Sequence, residues 1–260
     1  MKYHLTLMAT LLMLTVGVKA AVVAEEVEYA DGDTQLKGHI YYDDAHADKR
    51  PGVLVVHEWW GLDDYAKRRA TMLAELGYVA FAADMYGVGK VTDHPDQAKE
   101  WMMVNASNVP AWRQRANLAL QQLKNHPLTN AQKTAAIGYC FGGATVVELA
   151  YSGADLRGVA SFHGSLPLPA EGETPEINTP LLLLHGNADP FIEKAHVANF
   201  KARLTELNAD WEMVEYGGVL HSFTNPAADQ HGMPALKYDA SADQRSWGRL
   251  QQFFAEIFAN

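Results

Sequence analysis

Two runs with no polar alternation, Val53-Leu54-Val55-Val56-His57 and Leu181-Leu182-Leu183-Leu184-His185, constrain this chain more than any other feature. A strand with one wet face alternates apolar and polar residues, whereas a strand apolar at every position must be covered on both faces, as parallel strands flanked by helices are. The segments between them fit. From Asp63 to Leu76, the residues Tyr65, Ala66, Ala70, Leu73, Ala74 and Leu76 recur at near-helical spacing, and Gly77 stands where a helix closes. Tyr78 to Ala83 then reads as a strand, Asp96 to Lys124 as helix interrupted at Pro110, Ala135 to Tyr139 as strand, and Phe141 to Tyr151 as helix. Val159 to Phe162 and Trp211 to Tyr216 read as further strands, Glu193 to Leu207 and Ala242 to Ala259 as further helices. This alternation predicts an α/β fold, a mostly parallel sheet with helices on both faces. Near the start, Val27 to Tyr29 and Leu36 to Tyr42 flank Asp31-Gly32-Asp33, which predicts an antiparallel hairpin at the sheet edge. With no repeat, linker or low-complexity tract, residues 25–260 read as one domain.

Residues 1–20 carry Lys2, an apolar run through Leu5, Leu7, Met8, Leu11 to Leu14 and Val16, then Val18-Lys19-Ala20, and no acid. That is the pattern of a signal peptide cleaved before Ala21, with Val22-Val23-Ala24 as a second cut site. The run is too short to span a bilayer, so the expectation is a periplasmic or secreted protein with no stable membrane insertion after signal removal. The formal charge is −10 and no basic cluster exists, which argues against nucleic acid as a partner. An exported chain that needed disulfides would carry an even set of cysteines, but this one has Cys140 alone. A lone thiol there is either buried and inert or kept for its chemistry.

The strongest local signal is Gly138-Tyr139-Cys140-Phe141-Gly142-Gly143, a glycine-x-nucleophile-x-glycine segment between a strand and a helix. A nucleophile on so sharp a turn needs small neighbours, and the helix from Phe141 points its positive end at the sulfur, favouring thiolate. On such a scaffold the acid follows the nucleophile and the histidine comes last. Asp189, in His185-Gly186-Asn187-Ala188-Asp189-Pro190, and His221, in Gly217-Gly218-Val219-Leu220-His221-Ser222-Phe223, each lie just past a strand. The plain alternatives are a helix-cap aspartate and a solvated loop histidine. Three such residues at successive strand ends instead suggest a triad in which Cys140 attacks an acyl carbon, His221 carries protons and Asp189 fixes the imidazole tautomer. The Phe141 N–H would hold the oxyanion, with a second donor from the loop His57-Glu58-Trp59-Trp60-Gly61. A metalloprotease spacing would need histidine at position 61, which is Gly61, so no metal and no cofactor is expected. Trp59, Trp60, Tyr86 and Phe223 are candidates for a substrate pocket, while His163 and His185 read as structural.

Together, the Gly-Tyr-Cys-Phe-Gly-Gly elbow, the His-Glu-Trp-Trp-Gly loop, Asp189 and Gly-x-x-His221-Ser-Phe resemble the dienelactone hydrolase family, carboxymethylenebutenolidase-like α/β-hydrolases. The resemblance implies the α/β-hydrolase fold and esterase chemistry on a small-molecule ester or lactone. It also implies that Glu58 contacts the resting cysteine and helps regulate its ionisation, and that the Trp59 N–H completes the oxyanion hole. Lactone-degrading members grip a substrate carboxylate with two arginines. The matching segments here, Asp84-Met85-Tyr86-Gly87-Val88 and Phe223-Thr224-Asn225, hold none, so the resemblance implies a less charged substrate than dienelactone. The competing reading is a non-catalytic scaffold of the same fold that binds a ligand or protein partner in the periplasm.

Overall fold

The computed structural model describes residues 21–259, so the signal-peptide expectation for residues 1–20 lies outside the described residues. The chain runs β1 (Val22–Asp31), β2 (Thr34–Asp43), β3 (Arg50–Val56), α1 (Asp64–Glu75), β4 (Val79–Ala83), α2 (Pro95–Ala106), α3 (Val109–Asn125) and β5 (Thr129–Tyr139). It continues through α4 (Phe141–Tyr151), β6 (Gly158–Phe162), β7 (Leu181–Gly186), α5 (Lys194–Glu206), β8 (Trp211–Tyr216) and α6 (Ala240–Phe258). One eight-stranded sheet has the order β1-β2-β4-β3-β5-β6-β7-β8. β1 pairs β2, and β2 pairs β4, antiparallel, while every other pairing is parallel. This is the α/β-hydrolase fold with an N-terminal hairpin at one edge.

The two apolar runs are buried as their composition requires. In β3, Leu54 and Val56 join one face of the core while Val53 and Val55 join the other, and in β7 Leu181 and Leu183 are split from Leu182 and Leu184 in the same way. Helices α3, α4 and α5 cover the first face, and α1 and α6 the second. Pro110 does not kink one long helix. It stands in the first turn of α3, where its missing N–H costs nothing, and Pro95 does the same for α2. The hairpin strands are longer than the apolar alternation suggests, because the exposed β1 edge carries Glu25, Glu26 and Glu28, charges that discourage edge-to-edge pairing.

Connections leave β3 toward β4 on one side, while β5 lies on its other side. The crevice beyond the carboxyl ends of β3 and β5 is therefore a topological switch point, the usual place for a ligand in an open α/β sheet. The segments that leave those two ends are His57 to Gly61 and Cys140.

Candidate active site

Cys140 is the N-cap of α4 and has φ +54° and ψ −113°, a strained backbone that lifts its side chain off the sheet. The glycines make this turn possible. A Cβ on Gly138 would stand 2.0 Å from the Gly142 oxygen, and one on Gly142 would stand 2.2 Å from the Val56 oxygen. The Gly142 N–H also donates to the His57 carbonyl at 3.0 Å, so α4 begins pressed against the end of β3.

His221 and Asp189 come to the same place from the ends of β8 and β7. Asp189 Oδ2 lies 2.6 Å from His221 Nδ1, and its Oδ1 accepts the Phe191 N–H at 2.9 Å. One carboxylate thus serves both as the turn acceptor and as the histidine's partner. The His221 backbone is pinned to the following loop, its N–H on the Ala235 carbonyl and its own carbonyl on the Lys237 N–H. Burial opposes a charged His221 ring, but the adjacent Cys140 sulfur and the Asp189 carboxylate outweigh it and hold the pKa well above the ordinary histidine value.

Cys140 and His221 open into a cavity of about 330 Å³. Its walls are apolar: Trp59 after β3, Met102 and Ala106 on α2, Trp112 on α3, and Phe191 and Ile192 beyond Asp189. A larger hollow of about 710 Å³ lies at the opposite ends of the strands, around Arg157, Asp210 and Arg249, away from Cys140.

Three residues expected in the pocket lie elsewhere. Trp60 is buried and stacks on His231 at 3.9 Å. Tyr86 is buried edge-on against His57 at 4.8 Å, behind Phe141, and Phe223 is buried between His163 and Tyr216. Each belongs to the packing that supports the site, and the cavity surface falls instead to α2 and α3. The Met102 and Ala106 spacing, one helical turn apart, was the available sequence signal. Trp59 does face the cavity, and its N–H donates no hydrogen bond within the described residues. The Phe141 N–H opens the first turn of α4, where N–H groups lack intrahelical acceptors.

Glu58 is buried, and its hydrogen bonds go to neighbours of His221 and not to Cys140. Ser222 Oγ donates to one carboxylate oxygen and Asn225 Nδ2 to the other, the latter at 2.6 Å. Sequence reasoning missed both donors. Burial pushes the Glu58 pKa up to about 7 against the lowering effect of these two bonds. Below the ordinary carboxylate range both folded and unfolded chains hold the proton. As pH rises toward about 7 only the folded chain does, so stability falls across that window. Glu58→Gln is expected to remove this fall, worth about 3 kcal/mol, and to unfold at a higher urea midpoint than the native chain at about pH 8 but not at about pH 4. Equal midpoints at both pH values would contradict it.

A model of the dienelactone hydrolase family matches residues 36–258. Protein usf of Aquifex pyrophilus is 28% identical over 210 residues, spanning 79% of this chain and 88% of that one. An uncharacterized Caenorhabditis elegans protein is 35% identical over 148 residues, 56% of this chain and 93% of its own length. Among solved structures, that of a dienelactone hydrolase-like promiscuous phosphotriesterase from metagenomic libraries has a TM-score of 0.87 and 39% identity, covering 91% of this chain and 99% of that one. This chain belongs to the dienelactone hydrolase family of α/β-hydrolases.

Proposed function

We propose that this protein hydrolyses neutral carboxylic esters or lactones through an acyl-enzyme on Cys140. The observation that carries the reading is the convergence of Cys140, His221 and Asp189 at the mouth of an apolar cavity. The Cys140 thiolate attacks the acyl carbon, and the Trp59 and Phe141 N–H groups receive the oxyanion. As the carbon–oxygen bond breaks, His221 gives its proton to the leaving alkoxide. Water then attacks the thioester, His221 takes one of its protons, and the collapsing intermediate restores the thiolate and releases the carboxylic acid, which loses its remaining proton to solvent. Asp189 keeps Nδ1 protonated so that Nε2 faces the reaction. Glu58, held by the His221 loop, supports the arrangement and is the candidate regulator of Cys140 ionisation.

The substrate class follows from the walls. Apart from the Cys140 and His221 pair, no ionisable side chain lines the cavity among the described residues, Val88 stands at one of the positions where an arginine clamp would be, and Asn225 at the other is engaged by Glu58. A carboxylate buried there would lose its hydration without a partner. For a p-nitrophenyl butyrate and the p-nitrophenyl hemisuccinate of similar length, kcat/KM is expected to favour the neutral ester by about 10²-fold or more. Equal values, or preference for the anion, would contradict the neutral-substrate reading.

A second reading, turnover of neutral phosphotriesters, is favoured by the same apolar walls and by the metagenomic relative described as a promiscuous phosphotriesterase. Attack of the thiolate on phosphorus would expel an aryloxide that His221 protonates. Export through residues 1–20 to the periplasm or medium belongs to the proposal as well. A mature N-terminus at Ala21 or Glu25 on the secreted protein supports it, and an unprocessed chain in the cytoplasm contradicts it.

A further inference from the structure

We infer that His163 is a positioning residue, one ring that holds both the nucleophile turn and the catalytic histidine's loop in register. The inference rests on the reading of Cys140 and His221 given above. His163 directly follows β6, the strand beside β5, and is fully buried with φ +42°, a left-handed conformation that few side chains other than Asn, Asp and His adopt readily. Strain of that kind persists only where the surroundings enforce it.

The contacts define what the ring does. The Cys140 N–H, already directed at the Phe162 carbonyl at 3.0 Å, also donates to His163 Nδ1 at 3.1 Å. A backbone N–H can only donate, so Nδ1 is the bare nitrogen and Nε2 carries the hydrogen. Nε2 lies 2.7 Å from Thr224 Oγ1, three residues past His221, and therefore donates to it. The ring also stands edge-on to that of His221, with centroids 5.2 Å apart at 65°. Thr224 is in turn fixed from the other side. Tyr65 OH lies 2.6 Å from its Oγ1, and Arg69 Nη2 donates to its carbonyl at 2.7 Å. Arg69 of α1 is itself buried against Asp243 of α6. The elbow and the His221 loop therefore meet at one imidazole whose far side is anchored to a buried ion pair.

This arrangement requires a neutral ring. A proton on Nδ1 would oppose the Cys140 N–H and set a second cation against His221. Burial, the neighbouring His221 and Arg69 all hold the His163 pKa well below the ordinary histidine value.

The test separates positioning from packing. His163→Phe keeps the ring and removes both nitrogens. It is expected to lower kcat by about 10²-fold with little change in KM, and to move the pH profile of Cys140 alkylation by iodoacetamide upward. His163→Asn, whose Oδ1 can take the place of Nδ1 and which tolerates the left-handed backbone but whose amide does not reach Thr224, is expected to restore the native alkylation profile and to leave only the roughly tenfold loss in kcat expected of Thr224→Val. Thr224→Val removes only the Thr224 hydroxyl and is expected to lower kcat by roughly tenfold. It decides the matter should His163→Phe not fold. A folded His163→Phe, or failing that a folded Thr224→Val, with native kcat and alkylation profile overturns the inference. Failure of the underlying reading shows separately, as native activity in Cys140→Ala.

Discussion

Cys140→Ala is expected to fold like the native chain and to hydrolyse a neutral ester more slowly by on the order of 10⁵ to 10⁶ in kcat. Among the described residues, His221 is held by Asp189 and Glu58 by Ser222 and Asn225, and the Ser165 hydroxyl on the cavity wall makes no side-chain hydrogen bond to an imidazole that could activate it. The N–H donors and the cavity persist, so a residual rate above that of water alone should remain. The fold has little reason to change. Cys140 is only partly buried, and the turn around it is built by Gly138 and Gly142. Removing the sulfur also removes the leading interaction that keeps His221 charged against burial. The His221 imidazole should therefore titrate at lower pH in the variant than in the native protein, an ordering that imidazole NMR signals report. Cys140→Ser should recover little, because a hydroxyl is a far weaker nucleophile than a thiol and is much harder to deprotonate. Native kcat in Cys140→Ala would remove the basis of the mechanism.

Gly142→Ala is expected to prevent folding or to cost more than about 4 kcal/mol. The added methyl would meet the Val56 oxygen at 2.2 Å and the His57 oxygen at 2.7 Å, both backbone atoms at the end of a central strand. Neither can swing aside. Relief would require α4 to lift off the sheet, breaking the Gly142 to His57 hydrogen bond and displacing Cys140. Gly248 in α6 is the control, since a methyl group added there would meet nothing within 4 Å. At that position alanine should stabilise by up to about 1 kcal/mol through helix propensity. Urea unfolding of both variants measures the contrast, and similar small effects at the two glycines would contradict the close packing of the elbow.

Much of this molecule was legible in its sequence because its signals are local. The Phe141 to Tyr151 helix and the Trp211 to Tyr216 strand appear with the bounds that periodicity implies, since an elbow glycine and flanking turns mark their ends. β5 begins earlier than its apolar core because Thr129 and Asn130 pair with Arg50 and Pro51 across a register shift, a partnership that no window on one segment can display. The same limit governs the site. Cys140, Asp189 and His221 could be named as candidates because each follows a strand in a fixed chain order. Which of Trp59 and Trp60 faces the cavity depends on the turn between them, and the sequence treats the two alike. Ser222 and Asn225 sit beside His221 in sequence yet serve Glu58, more than 160 positions away. His163 looked structural because its partners, Cys140 and Thr224, are brought to it only by the sheet and the returning loop.

The central claim is that an acyl group passes through Cys140, and rapid acid quenching during turnover of a p-nitrophenyl ester, followed by peptide mass spectrometry, measures it directly. The expected result is a peptide containing Cys140 heavier by the acyl group less one hydrogen, with no such adduct in Cys140→Ala. An acyl adduct on any other residue, with Cys140 unmodified and the Cys140→Ala protein still turning over, would contradict it.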